Sequence, residues 1–255
     1  MKHQSKIFKS TCIDLSNNNY LHIVDVEKMD SKLISFIDEN IFKICAGENK
    51  GDVDIIKQEL INFLTPKKNG VTEMGAIAEF FAHLYLNEIG FNQQFLYLNL
   101  EEESIKKGFD GYYTLDDEEW IYESKSSTES SKEFSHNSNI SAAYNDLKKK
   151  IAGNTKNNPW KNAYNHARII DNKNDILKNI KTLSDSFIKK KFRVIKDFNI
   201  IPSSTLFLEG SWTPSDTKSI SKKIIKLISK YDYQGINVIC MSKKSIDLFW
   251  DYLNN

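Results

Sequence analysis

The sequence predicts a mixed α/β fold in which a central mixed β-sheet is flanked by helices. Three features carry this prediction. Residues 72–89 are apolar over most of a helical surface, which is typical of a helix packed deep in a core. Residues 108–125 hold two short runs of aromatic and β-branched side chains around an acidic turn, the pattern of a β-hairpin. Residues 204–241 have the pattern of strand, helix and strand, which favours a parallel crossover connection.

The first 70 residues predict an extension that precedes the main domain. Its predicted elements are strands at 10–15 and 20–26, paired through an asparagine-rich turn, and helices at 31–46 and 52–66. We expect residues 1–70 to form an N-terminal strand and helix extension that offers a surface to a partner. Residues 71–255 then form the core domain.

The core domain is predicted to alternate helices and strands. Its predicted elements are helices at 72–89, 139–152, 216–231 and 243–253, a basic helical stretch from about 160 to 195, and strands at 93–100, 112–115, 120–122, 204–208 and 236–241. Residues 126–138 are rich in serine and contain Phe134 as their one apolar residue. That segment therefore predicts a loop.

Composition places the chain among ordinary globular proteins. Apolar residues make up 40% of its 255 residues and charged residues 27%. No apolar run approaches the roughly 20 residues that cross a bilayer, and no apolar signal segment follows the N-terminus. The three cysteines are scattered and odd in number, which argues against a disulfide framework. We therefore expect a cytoplasmic protein without a membrane partner.

Charge is distributed unevenly along the chain. Residues 1–140 hold 14 basic and 24 acidic side chains, whereas residues 141–200 hold 14 and 5. A basic block with interleaved aromatic residues can bind the phosphates and bases of DNA. The candidate DNA contacts are Lys148, Lys149, Lys150, Trp160, His166 and Arg168. The alternatives are that the lysines form a solvated helix face and that the aromatic rings belong to the core.

The hairpin carries the candidate catalytic residues. Side chains alternate along a strand, so Glu123 and Lys125 point to one face while Ser124 points to the other. Because the hairpin folds back on itself, Asp110 can lie beside Glu123. Two carboxylates and one ammonium group would then share a surface that suits Mg²⁺ and metal-assisted attack on a phosphodiester. The alternative is a chance arrangement of charges on an exposed strand.

The buried helix 72–89 supplies a further candidate, Glu79. A carboxylate in an apolar surround is costly unless a partner compensates it. His83 lies one turn further on the same face, so the two side chains can pair with each other. The functional alternative is that Glu79 reaches the metal site. Glu73 competes for that role near the helix start, and we prefer Glu79 because we expect it to be more deeply buried.

The residues Asp110, Glu123 and Lys125 and the order helix, three strands, helix resemble the PD-(D/E)xK nuclease superfamily. The resemblance implies a restriction-endonuclease-like core in which Asp110 and Glu123 bind the metal and Lys125 is the catalytic lysine. It also implies that the backbone carbonyl of Ser124 is a ligand and that a helical glutamate, here Glu79, supports the site. Gly-Phe-Asp replaces the Pro-Asp dipeptide of that superfamily, which weakens the motif.

A narrower resemblance covers most of the chain. The phrases Glu-Met-Gly at 73–75, Gly-Phe-Asp-Gly at 108–111 and Tyr-Glu-Ser-Lys at 122–125 are similar to the nuclease subunit of the Hachiman anti-phage defence system. This implies a DNA nuclease that uses Mg²⁺ or Mn²⁺ beside a superfamily 2 helicase, which restrains it. The alternatives are a standalone restriction or repair endonuclease and a non-catalytic module that binds DNA or protein.

Overall fold

The computed structural model describes residues 4–47, 51–98, 108–168 and 174–255. Its strands are β1 (Lys9–Asp14), β2 (Tyr20–Val26), β3 (Asn92–Gln93), β4 (Gly111–Leu115), β5 (Glu118–Thr128), β6 (Asn199–Phe207) and β7 (Gly235–Lys243). Its helices are α1 (Ser31–Ala46), α2 (Val53–Leu64), α3 (Val71–Glu88), α4 (His136–Ile151), α5 (Pro159–Ala167), α6 (Asn174–Ile188), α7 (Thr217–Ile228) and α8 (Asp247–Leu253). The described part of the core domain thus has the order helix, three strands and three helices, followed by strand, helix, strand and helix.

All of these strands join one seven-stranded sheet in the order β1-β2-β7-β6-β5-β4-β3. The four central strands β2, β7, β6 and β5 are parallel to their neighbours in this group. The outer strands β1, β4 and β3 pair antiparallel. The predicted mixed sheet and the parallel crossover from β6 through α7 to β7 are thus confirmed, while the PD-(D/E)xK version of this fold stays a prediction.

The predicted N-terminal extension adds strands to this same sheet. Strand β2 pairs with β7 along its whole length, from Tyr20 opposite Asn237 to Val26 opposite Lys243. Helices α1 and α2 contribute side chains to a core cluster that also contains residues of β5, β6 and β7. The extension is therefore continuous with the core. Its role as a partner surface stays a prediction.

Helices cover both faces of the sheet because strand side chains alternate between two cores. On β5, Tyr122 belongs to the core formed with α1, α2, α3 and α8, whereas Ile121 belongs to the core formed with α4, α5, α6 and α7. The strand that carries the candidate catalytic residues is accordingly packed against α3 and α4. This layering decides which helices can reach the site.

Helix α3 is enclosed on all sides. Every residue from 76 to 86 is buried, as the apolar surface of this segment predicts. The rings of Phe80 and Phe81 lie 4.8 Å and 5.5 Å from the ring of Phe249 on α8, measured between centroids. The sheet covers the other side of α3, where Tyr113 and Tyr122 join the same core. Helix α3 therefore holds the hairpin and the outer helices together.

Several element boundaries differ from the prediction: β6 begins at 199 and not 204, α6 ends at 188 and not 195, and two further differences lie beside the hairpin. The strand expected at 93–100 is limited to β3, because the following backbone binds helix α1: the Tyr97 N–H donates to the Ile44 carbonyl at 3.0 Å. Residues 99 and 100 lie outside the described residues. The loop expected at 126–138 is also shorter. Strand β5 pairs with β6 as far as Thr128, and Ser135 caps α4 by accepting a hydrogen bond from the Ser138 N–H at 3.1 Å.

Within the part of the chain that the structure describes, no helix is both long enough and apolar enough to cross a bilayer. Cys12, Cys45 and Cys240 are all free thiols.

Truncation of a ring in the α3 core should be strongly destabilising. Phe80→Ala removes a fully buried ring next to Phe249, so we expect a loss of about 3–5 kcal/mol in the free energy of unfolding. Ile55→Ala on α2 is the control: its side chain is 58% exposed and its loss should change stability by no more than about 0.5 kcal/mol. Urea unfolding measures both, and similar effects of the two substitutions would contradict the central role of α3.

Candidate active site

The turn of the hairpin sets the alignment of the candidate site. Asp116 and Asp117 both have positive φ, 49° and 64°, the conformation of a two-residue type I′ turn. That turn pairs Leu115 with Glu118, and the register then runs to Gly111 opposite Tyr122. Asp110, one residue before β4, consequently lies beside Glu123. Its Oδ2 atom accepts a hydrogen bond from the backbone N–H of Ser124 at 2.8 Å.

Two glycines place Asp110. Gly108 has φ +82°, and a Cβ atom there would lie 2.4 Å from the backbone oxygen of Pro159 at the start of α5. A Cβ atom on Gly111 would lie 2.9 Å from the Tyr113 ring, 3.1 Å from the Tyr122 ring and 3.2 Å from the His83 ring. Both positions therefore require glycine for close approach. This explains the Gly-Phe-Asp-Gly spacing around the aspartate.

Glu123 and Lys125 project to the same side of β5, as their spacing predicts. Lys125 Nζ lies 3.1 Å from Glu123 Oε1. The Glu123 residue is only 2% exposed, whereas the Lys125 side chain is 32% exposed. The structure thus joins a buried carboxylate to a cation that reaches solvent.

Helix α4 adds two charged groups that complete this cluster. Lys150 Nζ donates to Glu123 Oε2 at 2.6 Å, and Asp146 Oδ2 lies 2.7 Å from Lys125 Nζ. Residues four apart on a helix share a face, which is why both side chains reach β5. Asp146 was missed in the sequence, and Lys150, expected to contact DNA, faces Glu123. The i, i+4 spacing of an acid and a base on α4 was the available signal.

Burial and neighbouring charges shift the pKa of two groups in the cluster, Asp110 and Lys125. Asp110 is partly exposed, yet its carboxyl lies among many protein atoms, and its pKa is raised to about 7 with desolvation as the largest cause. Repulsion by Glu123 and Glu79 adds to that rise, and Lys150 opposes it. For Lys125, burial lowers the pKa, but Glu123, Asp146 and Asp110 outweigh burial and raise it above its ordinary value. Lys125 is therefore a cation at neutral pH.

Glu79 lies close to this cluster from the α3 side. Its Oε1 atom is 3.2 Å from His83 Nε2, and its charge acts on Asp110. The position of Glu79 therefore agrees with both possibilities stated from the sequence: it pairs with His83, and it lies close enough to the site for its charge to act on Asp110. Burial does not separate it from Glu73, since the two residues are 4% and 2% exposed. Our reason for preferring Glu79 was wrong.

Glu73 is occupied elsewhere in the fold. Its carboxylate accepts hydrogen bonds from the indole Nε1 of Trp250 at 2.5 Å and from the backbone N–H of Asn69 at 2.6 Å. These contacts tie the start of α3 to α8. They leave Glu79 as the helical glutamate whose charge acts on Asp110.

The donor atoms of the cluster fit a hard divalent cation. Mg²⁺ typically binds one or two protein carboxylates and keeps water and substrate phosphate as its other ligands. Asp110 and Glu123 supply two carboxylates. The N–H and C=O of one strand residue point the same way, so the Ser124 carbonyl lies on the side of Asp110. Among the described residues, no group of three or more His, Cys, Asp or Glu side chains forms a metal cage. The role of Glu79 as a ligand stays a prediction.

The predicted DNA contacts separate into buried and exposed residues. Trp160 is 1% exposed and packs on Phe109 and Phe198, with ring centroids 4.8 Å and 5.3 Å away. His166 is 8% exposed and packs against Phe95. Neither ring can stack on DNA bases, so both assignments were wrong: the apolar face of α5 turns them into the core.

The other three predicted DNA contacts are exposed at the protein surface. Lys148 and Lys149 are exposed at the end of α4. Arg168 is exposed, with its guanidinium 5.7 Å from the centroid of the Tyr164 ring. DNA binding by these three residues stays a prediction.

The fold and the cluster together define a mixed α/β protein with a carboxylate–lysine site on its central hairpin. The chain belongs to the HamA family, whose model matches residues 2–252. No curated protein matches the chain. The family confirms the resemblance to the Hachiman component and fits a role in Hachiman anti-phage defence. Membership in the PD-(D/E)xK superfamily stays a prediction.

Alanine substitutions at two glycines should have opposite effects. Gly111→Ala drives a methyl group into three rings, and we expect it to destabilise the fold by about 1–3 kcal/mol. Gly75→Ala is the matched control in α3, where an added Cβ meets no atom within 4 Å. It should stabilise by about 0.5–1 kcal/mol because alanine favours the helix. Thermal unfolding measures both, and equal shifts would contradict the packing around Asp110.

The raised pKa of Asp110 predicts a pH-dependent stability. The folded chain holds this proton more tightly than the unfolded chain, whose aspartates titrate near 4. The destabilisation is therefore absent at low pH, grows as pH rises above about 4, and is complete above about 7. In EDTA, Asp110→Asn should raise Tm more at pH 8 than at pH 5. The exposed control Asp185→Asn should show no such growth, and a pH-independent gain for Asp110→Asn would refute the assignment.

Proposed function

We propose that this chain is a metal-dependent DNA nuclease and the effector of a Hachiman defence complex that includes a superfamily 2 helicase. One observation carries the proposal: Asp110, Glu123 and Lys125 converge at the hairpin, where the buried Glu123 and the partly exposed Asp110 lie beside the Lys125 ammonium group. A raised carboxyl pKa and like charges held close together are features that cluster at functional sites. Membership in the HamA family is consistent with the defence role.

The carboxylates of Asp110 and Glu123, with the Ser124 carbonyl, would hold Mg²⁺ or Mn²⁺. When bound, such an ion polarises a phosphoryl oxygen and acidifies water. Binding would also relieve the repulsion that raises the pKa of Asp110. Glu79 supports this arrangement through its charge from the α3 side. The chain's contribution is thus a negatively charged pair of ligands fixed by the hairpin register.

Lys125 contributes positive charge where the phosphodiester gains negative charge in the transition state. As an ammonium group at neutral pH it orients the attacking water or helps to activate it, and it offsets charge in the transition state. Asp146, at 2.7 Å, holds its ammonium group in place from α4. Lys150 lies on the other oxygen of Glu123 and balances that buried carboxylate before substrate binds.

The helicase partnership rests on the resemblance alone. Residues 1–70, the predicted partner surface, hold ten basic and ten acidic side chains, so charge does not mark them as a binding surface. We propose that the helicase subunit restrains the nuclease until phage or damaged DNA is engaged. Activity of the chain alone would instead favour a standalone endonuclease.

A second candidate function has its own supporting observation. Both oxygens of Glu123 are paired with lysines, and the described residues form no three-ligand metal cage. These contacts suit a non-catalytic module that binds DNA and uses the cluster only as an internal ion pair. Metal-dependent cleavage separates the two functions.

Loss of Lys125 should abolish cleavage without loss of the fold. We expect purified protein, with the helicase subunit added, to cut supercoiled plasmid or linear DNA in Mg²⁺ or Mn²⁺ and not in EDTA. Lys125→Ala should slow cutting by about 100-fold or more, since it removes charge from the transition state. Lys222→Ala, on the exposed face of α7, is the matched control and should cut normally.

Four results of this assay are decisive. Nicked plasmid marks internal cleavage, and shortening of linear DNA alone marks cleavage from ends. Full cutting by both Lys125→Ala and Glu123→Ala would reject this active site. Absence of metal-dependent cutting with the helicase present would favour the DNA-binding module.

A further inference from the structure

A segment at the end of helix α6 exposes both apolar and basic side chains. Residues 188–194, called here the α6–β6 ridge, are all exposed. Three are large and apolar: Ile188 is 65% exposed, Phe192 43% and Val194 49%. The other four are cations, and the ridge contains no acidic residue. Its basic residues are Lys189, Lys190, Lys191 and Arg193.

The ridge has a fixed backbone. The N–H of Lys191 donates to the Ser186 carbonyl at 2.9 Å, and that of Lys190 donates to the Phe187 carbonyl at 3.0 Å. Lys190 has φ +56°, so these two bonds form the Schellman motif that ends a helix. The rings of Phe187 and Phe192 meet edge to face, with centroids 5.0 Å apart. The side chains of the ridge therefore project from an ordered turn.

The ridge adjoins the candidate active site through the end of α4. A Cβ atom on Gly153 would lie 2.3 Å from the Phe192 ring, which shows that the ring rests against the backbone just after α4. Lys150, three residues before Gly153, donates to Glu123. The ridge therefore contacts the same end of α4 that supplies a cation to Glu123.

Helix stabilisation accounts for only part of this composition. Cations near the C-terminus of a helix are favoured by its dipole, which suits Lys189 and Lys190 directly after α6. That effect requires neither Arg193, which lies beyond the helix end, nor three exposed apolar side chains. Cations interleaved with an exposed aromatic ring are the combination that binds single-stranded nucleic acid: phosphates contact the cations and a base stacks on the ring.

We propose that the α6–β6 ridge binds single-stranded DNA and directs it towards the Glu123–Lys125 cluster. Lys189, Lys191 and Arg193 contact successive phosphates, and Phe192 stacks on an unpaired base. The choice of DNA as the ligand rests on the proposed nuclease function. In this proposal Phe192, and not the buried Trp160 or His166, supplies the aromatic ring that contacts DNA.

Binding in EDTA tests the ridge without cleavage. The probe is a fluorescein-labelled 20-nucleotide oligothymidine, and anisotropy is followed over a range of salt concentrations. The variant Lys189→Glu/Lys191→Glu/Arg193→Glu should weaken binding at least tenfold. It should also reduce the magnitude of the salt slope by about 2, since each lost phosphate contact of a single strand contributes roughly 0.7.

The matched control reverses three charges elsewhere. Lys222→Glu/Lys223→Glu/Lys226→Glu alters exposed lysines of α7 and changes net charge by the same amount. It should weaken binding less than threefold. Equal loss in both variants would show an effect of net charge alone and would overturn the proposal. The proposal would also be overturned if the ridge variant bound the probe as tightly as the unaltered protein, or if the unaltered protein did not bind the probe.

Substitutions at Phe192 test the stacking contact. Phe192→Leu keeps an apolar cover on Gly153 but removes the aromatic face, so affinity should fall about fivefold or more, whereas Phe192→Tyr should keep it. Equal affinities of the two variants would overturn stacking. Thermal unfolding checks that both are folded.

The plasmid assay keeps this inference separate from the proposed function. Binding lost only in the ridge variant, with no cleavage by any protein, would support the ridge and reject the nuclease. Normal cleavage with unchanged probe binding in the ridge variant would reject the ridge and support the nuclease.

Discussion

The structure around the hairpin depends on the charge balance of one buried carboxylate, Glu123. A carboxylate that is 2% exposed is tolerated only when cations or hydrogen-bond donors compensate it. Lys125 supplies a cation from the same strand, and Lys150 supplies one from α4. The position of α4 against the sheet is therefore set by charge as well as by its apolar face. Removal of either lysine would leave Glu123 with one cation.

The neighbouring Asp110 shows the opposite balance. Its pKa is raised because burial and two carboxylates disfavour its charge, while Lys150 and a single backbone N–H favour it. Natural chains keep such unfavourable groups chiefly where chemistry needs them. The glycines at 108 and 111, whose added Cβ atoms would clash, maintain that position. Together these observations support a functional origin for the cluster.

Both faces of the sheet contribute to the site. Helix α3 brings Glu79 and His83 from one core, and α4 brings Asp146 and Lys150 over the other. Strand β5 is central because it is in contact with both helices and carries the alternating residues between them. The ridge after α6 then extends this region at the end of α4. The end of α4 therefore contacts both the carboxylate cluster, through Lys150, and the exposed basic segment, through Gly153.

The sequence by itself determined the local features: the burial of α3, the hairpin with its acidic turn, and the shared face of Glu123 and Lys125. These depend on helical and strand periodicity and on turn chemistry, which act over a few residues. Tertiary structure decided what distant segments bring together. It shortened β3, because the Tyr97 backbone binds α1, and it turned Trp160 and His166 inward. It also brought Asp146 and Lys150 of α4 against β5. Local periodicity does not decide which polar face of a helix meets the sheet, whereas long-range packing and charge compensation do.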